Sequence, residues 1–150
     1  MDLSTRYLGL ELEHPLMPGA SPMVDDLDTV KRLEDAGASA IVMHSLFEEQ
    51  ILEDAMRRAP LAGEPGQYLE HLLRVKQRVR IPVIASLNGT TPEGWLQYAR
   101  ALERAGADAL ELNFYYIATD PADDAQAVEQ RVLDIVRSSR NPCSFRWRSN

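Results

Sequence analysis

One pattern that occurs twice, at Leu33–His44 and again at Leu102–Asn113, constrains this chain more than any other feature. Each copy begins with the last turn of a helix, passes through an Ala-Gly-Ala turn and continues into an apolar strand that ends on a polar residue. Glycine suits such a helix end because it enters the left-handed backbone region without a steric cost. Two helix–turn–strand units in one chain predict a repeated β/α architecture.

Helices and strands are predicted to alternate along the body of the chain. The expected helices span residues 27–36, 68–79, 91–105 and 126–137, and the expected strands lie around Leu16 and at residues 39–44, 81–87 and 108–113. This alternation indicates parallel strands joined by right-handed crossovers. Ahead of it, residues 5–13 alternate weakly around Gly9, which predicts a short β-hairpin or two extended segments with Gly9 at the turn. Asp25, Asp26 and Asp28 are the candidate N-caps of the first helix.

Two α/β architectures remain open at this point. A (β/α)8 TIM barrel needs about 250 residues, so the 150 residues here would supply only its first four β/α units, a half-barrel. An open flavodoxin-like sheet fits the length better. However, the first strand is followed by Gly19–Pro22, which is not the G-x-G-x-x-G turn that binds phosphate.

Composition excludes several classes of protein. The formal net charge of −7 argues against a nucleic-acid-binding protein, which would normally carry a basic surface. A single cysteine, Cys143, excludes an internal disulfide and a cysteine-rich metal site, and no other metal site is predicted. The first 13 residues do not resemble a signal peptide, and no apolar run approaches the roughly 20 residues that cross a membrane. We therefore expect a cytoplasmic protein with no membrane partner.

Function in either architecture lies at the carboxyl ends of the strands. The predicted strand ends carry small, hydroxyl, amide and imidazole groups, at Ala20–Ser21, His44–Ser45, Asn88 and Asn113. Such groups suit a planar heterocycle, which needs hydrogen bonds at its edge and close backbone approach. The alternative is that Ser, Asn and Gly simply form turns there. His44 would then be a packed histidine, and Glu48 would belong to a solvated face.

The same segments resemble the dihydroorotate dehydrogenase family. The resemblance lies in the opening segments Leu3–Leu12 and Pro15–Pro22, in His44–Ser45 where the family has Lys-Ser, in Asn88, and in Glu111–Asn113 where the family has Glu-Leu-Asn. It covers roughly residues 3–137. We therefore expect residues 1–137 to form the N-terminal half of a TIM barrel of that family.

This resemblance implies FMN as the cofactor and a small-molecule substrate. The reaction implied is oxidation of dihydroorotate to orotate, or of a related dihydropyrimidine-like substrate in pyrimidine metabolism. The residues expected beside FMN are Ala20, Ser21, His44, Ser45, Asn88 and Asn113. The family's loops that hold the FMN phosphate follow later strands, so tight FMN binding by this chain alone is not expected.

Two departures from the family pattern affect the predicted chemistry. His44 replaces the family's lysine, and Tyr116 stands where a Cys or Ser supplies the base. The ordinary pKa of tyrosine is near 10, against about 8.5 for a thiol, so Tyr116 would be a poor base. The catalytic residue is therefore unknown, and we expect dihydroorotate to be turned over inefficiently.

The segment at residues 138–150 differs in kind from the rest of the chain. Arg137, Arg140, Arg146 and Arg148 fall in the last 14 residues, which contain no acid, and no strand periodicity follows the last predicted helix. We interpret residues 138–150 as non-native or disordered sequence from a truncated or frame-shifted reading. The alternative is a genuine arginine-rich tail that binds an acidic partner.

Three functions follow from these readings. The first is an FMN-dependent oxidoreductase of dihydroorotate dehydrogenase type. The second is a non-catalytic half-barrel that forms homo-oligomers through its exposed sheet edges, because unpaired edges promote association. The third is a small flavodoxin-like binding domain.

Overall fold

A computed structural model describes residues 1–50, 64–88, 92–114, 119, 123–140 and 147–149 of the chain. The strands are β1 (Thr5–Tyr7), β2 (Leu10–Leu12), β3 (Ile41–Phe47), β4 (Val83–Asn88), β5 (Ala109–Asn113) and β6 (Trp147–Ser149). The helices are α1 (Leu27–Asp35), α2 (Glu64–Arg78), α3 (Pro92–Arg104) and α4 (Ala125–Arg140), and a 3₁₀ helix (Pro22–Asp25) precedes α1. Strands β3, β4, β5 and β6 form a parallel sheet in that order. The predicted α/β fold with a parallel sheet is confirmed.

The repeated Ala-Gly-Ala turn closes two helices with the same hydrogen bonds. After α1, the Gly37 N–H donates to the Glu34 carbonyl and the Ala38 N–H to the Leu33 carbonyl. After α3, Gly106 and Ala107 donate to Glu103 and Leu102 in the same way. Gly37 and Gly106 have φ values of 94° and 95°, in the left-handed region. Both turns are therefore Schellman motifs, as the sequence repeat predicts.

The predicted hairpin and helix cap also form. Strands β1 and β2 pair antiparallel, with Leu8 and Gly9 at positive φ in the turn between them. Asp26 is the N-cap of α1, because its carboxylate accepts from the backbone N–H groups of Asp28 and Thr29.

Two apolar clusters lie on opposite faces of the sheet. The larger cluster joins one face of β3–β5 to buried residues of α1, α2 and α3, including Val30, Leu72 and Leu102. The smaller cluster packs the hairpin against Val42 and Ile84 on the other face. Within the described residues, the helices of these clusters cover one face only, whereas a doubly wound sheet carries helices on both. This arrangement favours the wall of a barrel over a flavodoxin-like sheet, while the four-unit half-barrel stays a prediction.

The prediction of a strand around Leu16 is wrong. Residues 14–19 form no strand, and the Leu16 side chain is 69% exposed. Pro15 and Pro18 explain the difference, because proline has no N–H to donate to a neighbouring strand. The segment still lies beside the start of β3, since the Leu16 carbonyl accepts from the N–H and the hydroxyl of Ser39.

The end of the chain contains a strand that its composition did not predict. Helix α4 ends at Arg140, beyond the expected end at residue 137. Trp147–Ser149 then pairs in parallel with Leu110–Leu112 of β5. Whether residues 138–150 are native sequence stays a prediction, as does association through the outer strands β3 and β6. Within the described residues, no helix has both the length and the apolar character needed to cross a membrane.

Two adjacent leucines of α2 test the position of the core. Leu72 is fully buried in the larger cluster, whereas Leu73 is 45% exposed. Leu72→Ala should lower the free energy of unfolding by about 2–5 kcal/mol, because it leaves a cavity among packed side chains. Leu73→Ala is the matched control and should cost less than about 1 kcal/mol in urea unfolding. Equal losses in the two variants would contradict the described orientation of α2.

Candidate functional site

A polar network occupies the carboxyl ends of three neighbouring strands. Asn113 Nδ2 lies 3.1 Å from Ser45 Oγ, 3.0 Å from Ser86 Oγ and 3.4 Å from Glu111 Oε1. The two serine hydroxyl oxygens are 2.8 Å apart, and Ser86 Oγ donates to Glu111 Oε1 at 3.3 Å. Because the Ser86 hydroxyl donates its one proton to Glu111, the Ser45 hydroxyl must be the donor in the hydrogen bond between the two serines. The network therefore runs from Ser45 through Ser86 to the Glu111 carboxylate.

Strand alternation places this network on the face that carries no helix. In β4, Ile84 belongs to the cluster under the hairpin, whereas Val83 and Ala85 belong to the cluster under the helices. Ser86 and Asn88 follow Ile84 at every second position and so share its face. The same alternation in β5 puts Glu111 and Asn113 on the face of Ala109. The hairpin packs beside Val42, Ile84 and Ala109 near the strand starts, and the polar groups lie beyond it.

A β-bulge in β3 decides which residue joins the network. Val42 pairs with Ile84, but the next recorded pair is Ser45 with Ser86, so β3 uses one more residue than β4 over this stretch. Because of this extra residue, the side chain on the face of the network is that of Ser45 and not that of His44.

The Tyr68 hydroxyl from α2 contacts the backbone at this bulge. It lies 3.0 Å from the His44 carbonyl and 3.4 Å from the Ser86 carbonyl, and it accepts from the Ser86 N–H at 3.2 Å. Burial raises the pKa of Tyr68 far above its ordinary value, and the nearby Glu111 and Tyr98 raise it further. Tyr68 therefore stays protonated and acts as a neutral hydrogen-bonding group.

His44 lines a cleft that Ser45 of the polar network also lines. Its Nδ1 lies 2.7 Å from Asp25 Oδ1, although this close approach does not have the direction of a hydrogen bond. Its ring meets the Tyr68 ring edge-on at 5.1 Å between centroids. The cleft has a volume of about 460 Å³ and is also lined by His71. His71 is held by the Val24 carbonyl, which accepts from its Nε2 at 2.6 Å.

The structure brings together only part of the predicted cofactor site. Ser45 and Asn113 lie in one network, and Asn88 lies on the same face of the sheet, directly opposite Asn113. His44 makes no hydrogen bond to these groups in the described part of the chain and lies beside Asp25 instead. Ala20 and Ser21 lie before the 3₁₀ helix, and in the described part of the chain no hydrogen bond joins their side chains to the network. Tyr116 lies outside the described residues.

The sequence analysis missed the roles of Ser86, Glu111 and Tyr68. The signal for the first two was available, because each is a polar residue inside an otherwise apolar buried strand. Tyr68 gave no such signal, since a tyrosine on an amphipathic helix is ordinary. Glu48, expected to be solvated, is instead buried.

The chemistry of these groups fits the edge of a planar heterocycle such as a flavin. Asn88 is only 8% exposed, and no hydrogen bond joins its side chain to any other described residue. Its amide group can both donate and accept hydrogen bonds to a ligand on this face. Beside it stand the network's hydroxyl, amide and carboxylate groups, which supply both donors and acceptors. Among the described residues, no group of three His, Cys, Asp or Glu side chains is placed to hold a metal ion.

Comparison with known proteins supports the resemblance in the sequence. A catalytic subunit of dihydroorotate dehydrogenase B (NAD(+)) from Thermoplasma acidophilum is 31% identical over 124 aligned residues, covering 75% of this chain and 41% of the relative. The NAD-dependent dihydropyrimidine dehydrogenase subunit PreA of Escherichia coli is 24% identical over 166 aligned positions, covering 94% of this chain and 40% of the relative. The chain is similar to dihydroorotate dehydrogenases.

The similarity is partial in extent. The chain spans about two-fifths of the length of these curated relatives, 41% and 40%. No family model matches the chain. Among solved structures, a phosphonomutase-like protein of Burkholderia cenocepacia superposes with a TM-score of 0.57 at 20% identity, over 93% of this chain and 54% of that one. At that identity the match shows the fold alone, an α/β fold with a parallel sheet.

The protonated state of Tyr68 gives a prediction for alkaline pH. The pKa of Tyr68 is higher in the folded chain than in the unfolded one, where it is about 10. The stability it contributes is therefore fully present below pH 10 and is lost as pH rises further, by up to about 1.4 kcal/mol per pH unit. In urea unfolding between pH 8 and 11, the stability difference between wild type and Tyr68→Phe should narrow above pH 10. A constant difference across that range would contradict the buried neutral hydroxyl.

Proposed function

We propose that this chain forms the flavin-facing wall of an FMN-dependent oxidoreductase of dihydroorotate dehydrogenase type. In this proposal it supplies the first four β/α units of a TIM barrel. The observation that carries the proposal is the network of Ser45, Ser86, Glu111 and Asn113 at the strand ends of the helix-free face. The similarity to dihydroorotate and dihydropyrimidine dehydrogenases supplies the reaction class.

The proposed roles of the residues follow from their positions. Ser45, Asn88 and Asn113 would make hydrogen bonds to the edge of the flavin ring. Ser86 and Glu111 would hold Ser45 and Asn113 in place, because they accept the hydrogen bonds that fix those two side chains. Bound FMN would supply the acceptor for a hydride from a saturated ring carbon of the substrate.

The proposed substrate is a dihydropyrimidine-like ring. Both relatives are named for substrates of this type, namely dihydroorotate and a dihydropyrimidine. Amide, hydroxyl and carboxylate groups recognise such rings through their N–H and C=O edges. Tyr116 at the position of the family's base makes inefficient turnover of dihydroorotate itself part of the proposal.

Titration with FMN, followed by quenching of flavin fluorescence, tests the cofactor assignment. Wild-type chain should quench the flavin, and Asn113→Ala and Ser45→Ala should each weaken binding by about three- to tenfold, the usual effect of one lost hydrogen bond. Ser39→Ala is the matched control, because Ser39 lies just before the start of the same strand as Ser45 and bonds to the Leu16 carbonyl.

The control variant should bind FMN as wild type does. If the wild-type chain leaves flavin fluorescence unchanged at every protein concentration, FMN binding by this chain is excluded. If Ser39→Ala weakens binding as much as Ser45→Ala, the site is not at the network.

A further inference from the structure

We propose that Tyr68 is a positioning residue whose hydroxyl holds the β3 bulge and thereby selects Ser45, in place of His44, for the polar network. The inference deepens the proposed function, and its consequence for cofactor binding rests on that function. The geometry of the bulge itself does not.

The first step of the argument is the strand register. Between the pairs Val42–Ile84 and Ser45–Ser86, β3 advances by three residues and β4 by two. In a regular parallel ladder His44 would stand opposite Ser86. A one-residue shift exchanges the two faces of a strand, so an unbulged β3 would direct an imidazole at Asn113 and turn the Ser45 hydroxyl away.

The second step concerns the hydrogen bonds that Tyr68 makes to the backbone at the bulge. Bulges are rare in parallel sheets because the extra residue disrupts the ladder. Ser86 is fully buried, so its N–H must find a partner within the protein. That partner is the Tyr68 oxygen, which accepts at 3.2 Å while its own proton reaches the His44 carbonyl at 3.0 Å. One hydroxyl therefore bridges both strands at the bulge.

The third step concerns the Tyr68 ring. It meets the His44 imidazole edge-on, with an angle of 88° between the two planes. It also belongs to the apolar cluster on the helix side of the sheet. The ring therefore holds His44 near the cleft with Asp25, while the hydroxyl fixes the backbone that leaves Ser45 facing Ser86 and Asn113.

Nuclear magnetic resonance of the ¹⁵N-labelled chain tests this role without any cofactor. In Tyr68→Phe, exchange of the Ser86 amide should be at least about tenfold faster than in wild type, because its hydrogen-bond acceptor is gone. The side-chain amide signals of Asn113 should shift as far as they do in Ser45→Ala. Tyr98→Phe is the matched control. It removes another buried tyrosine hydroxyl, the contacts at the bulge described above being those of Tyr68, and it should leave both readouts unchanged.

Deletion of His44 gives a second test if Tyr68→Phe does not fold. Removing the extra residue makes the ladder regular and keeps Ser45 opposite Ser86. The side-chain amide signals of Asn113 should then keep their wild-type chemical shifts, and adding Tyr68→Phe to the deletion should no longer change those shifts. Signals that still depend on the Tyr68 hydroxyl in the deletion variant would overturn the proposal.

The remaining outcomes separate this inference from the proposed function. Unchanged Ser86 exchange and Asn113 signals in Tyr68→Phe would overturn the positioning role. With FMN, Tyr68→Phe should weaken binding as much as Ser45→Ala does. If Tyr68→Phe binds FMN as tightly as wild type while Ser45→Ala binds it more weakly, the positioning role of Tyr68 is also overturned. If neither wild type nor any variant binds FMN, the proposed function fails, and the two cofactor-free readouts still decide the role of Tyr68.

Discussion

The arrangement of this structure depends on the alternation of side chains along three parallel strands. Every second residue of β4 and β5 is apolar and packs under the helices, and β3 contributes Ile41, Met43 and Leu46 to the same face on either side of its bulge. Burial of that face stabilises the sheet. The intervening residues are then free to differ along the strand. Near the strand starts they are apolar and lie under the hairpin, and near the carboxyl ends they are polar. One face thus provides stability, and the other provides a surface with hydrogen-bonding groups.

Much of this fold could be predicted from the sequence because its signals are local. The Ala-Gly-Ala turns need only the conformational freedom of Gly37 and Gly106 at two helix ends. The apolar strands and the amphipathic helices likewise depend on periodicity within a few residues. No strand forms around Leu16, because Pro15 and Pro18 on either side of it have no N–H to donate to a neighbouring strand. Strand β6 was missed because its pairing with β5 comes from tertiary contact and not from a periodic pattern.

The candidate site could be predicted only in part. Strand ends are visible in sequence, so Ser45, Asn88 and Asn113 were found. The separation of His44 from Ser45 was not visible, because it depends on a bulge held by a tyrosine of a distant helix. Neither residue of the pair carries a signal that says which one faces the network. Sequence resemblance predicts that the two share one set of contacts, whereas in the structure only Ser45 is hydrogen-bonded to the network.

The central claim is that the network at the ends of β3, β4 and β5 is a flavin surface. The most direct measurement maps FMN on the ¹⁵N-labelled chain by chemical-shift perturbation, at several FMN concentrations. We predict that the largest shifts occur at the backbone amides of Ser45 and Ser86 and at the side-chain amides of Asn88 and Asn113. Shifts confined to the cleft of His44 and His71, or no shifts at saturating FMN, would contradict the account.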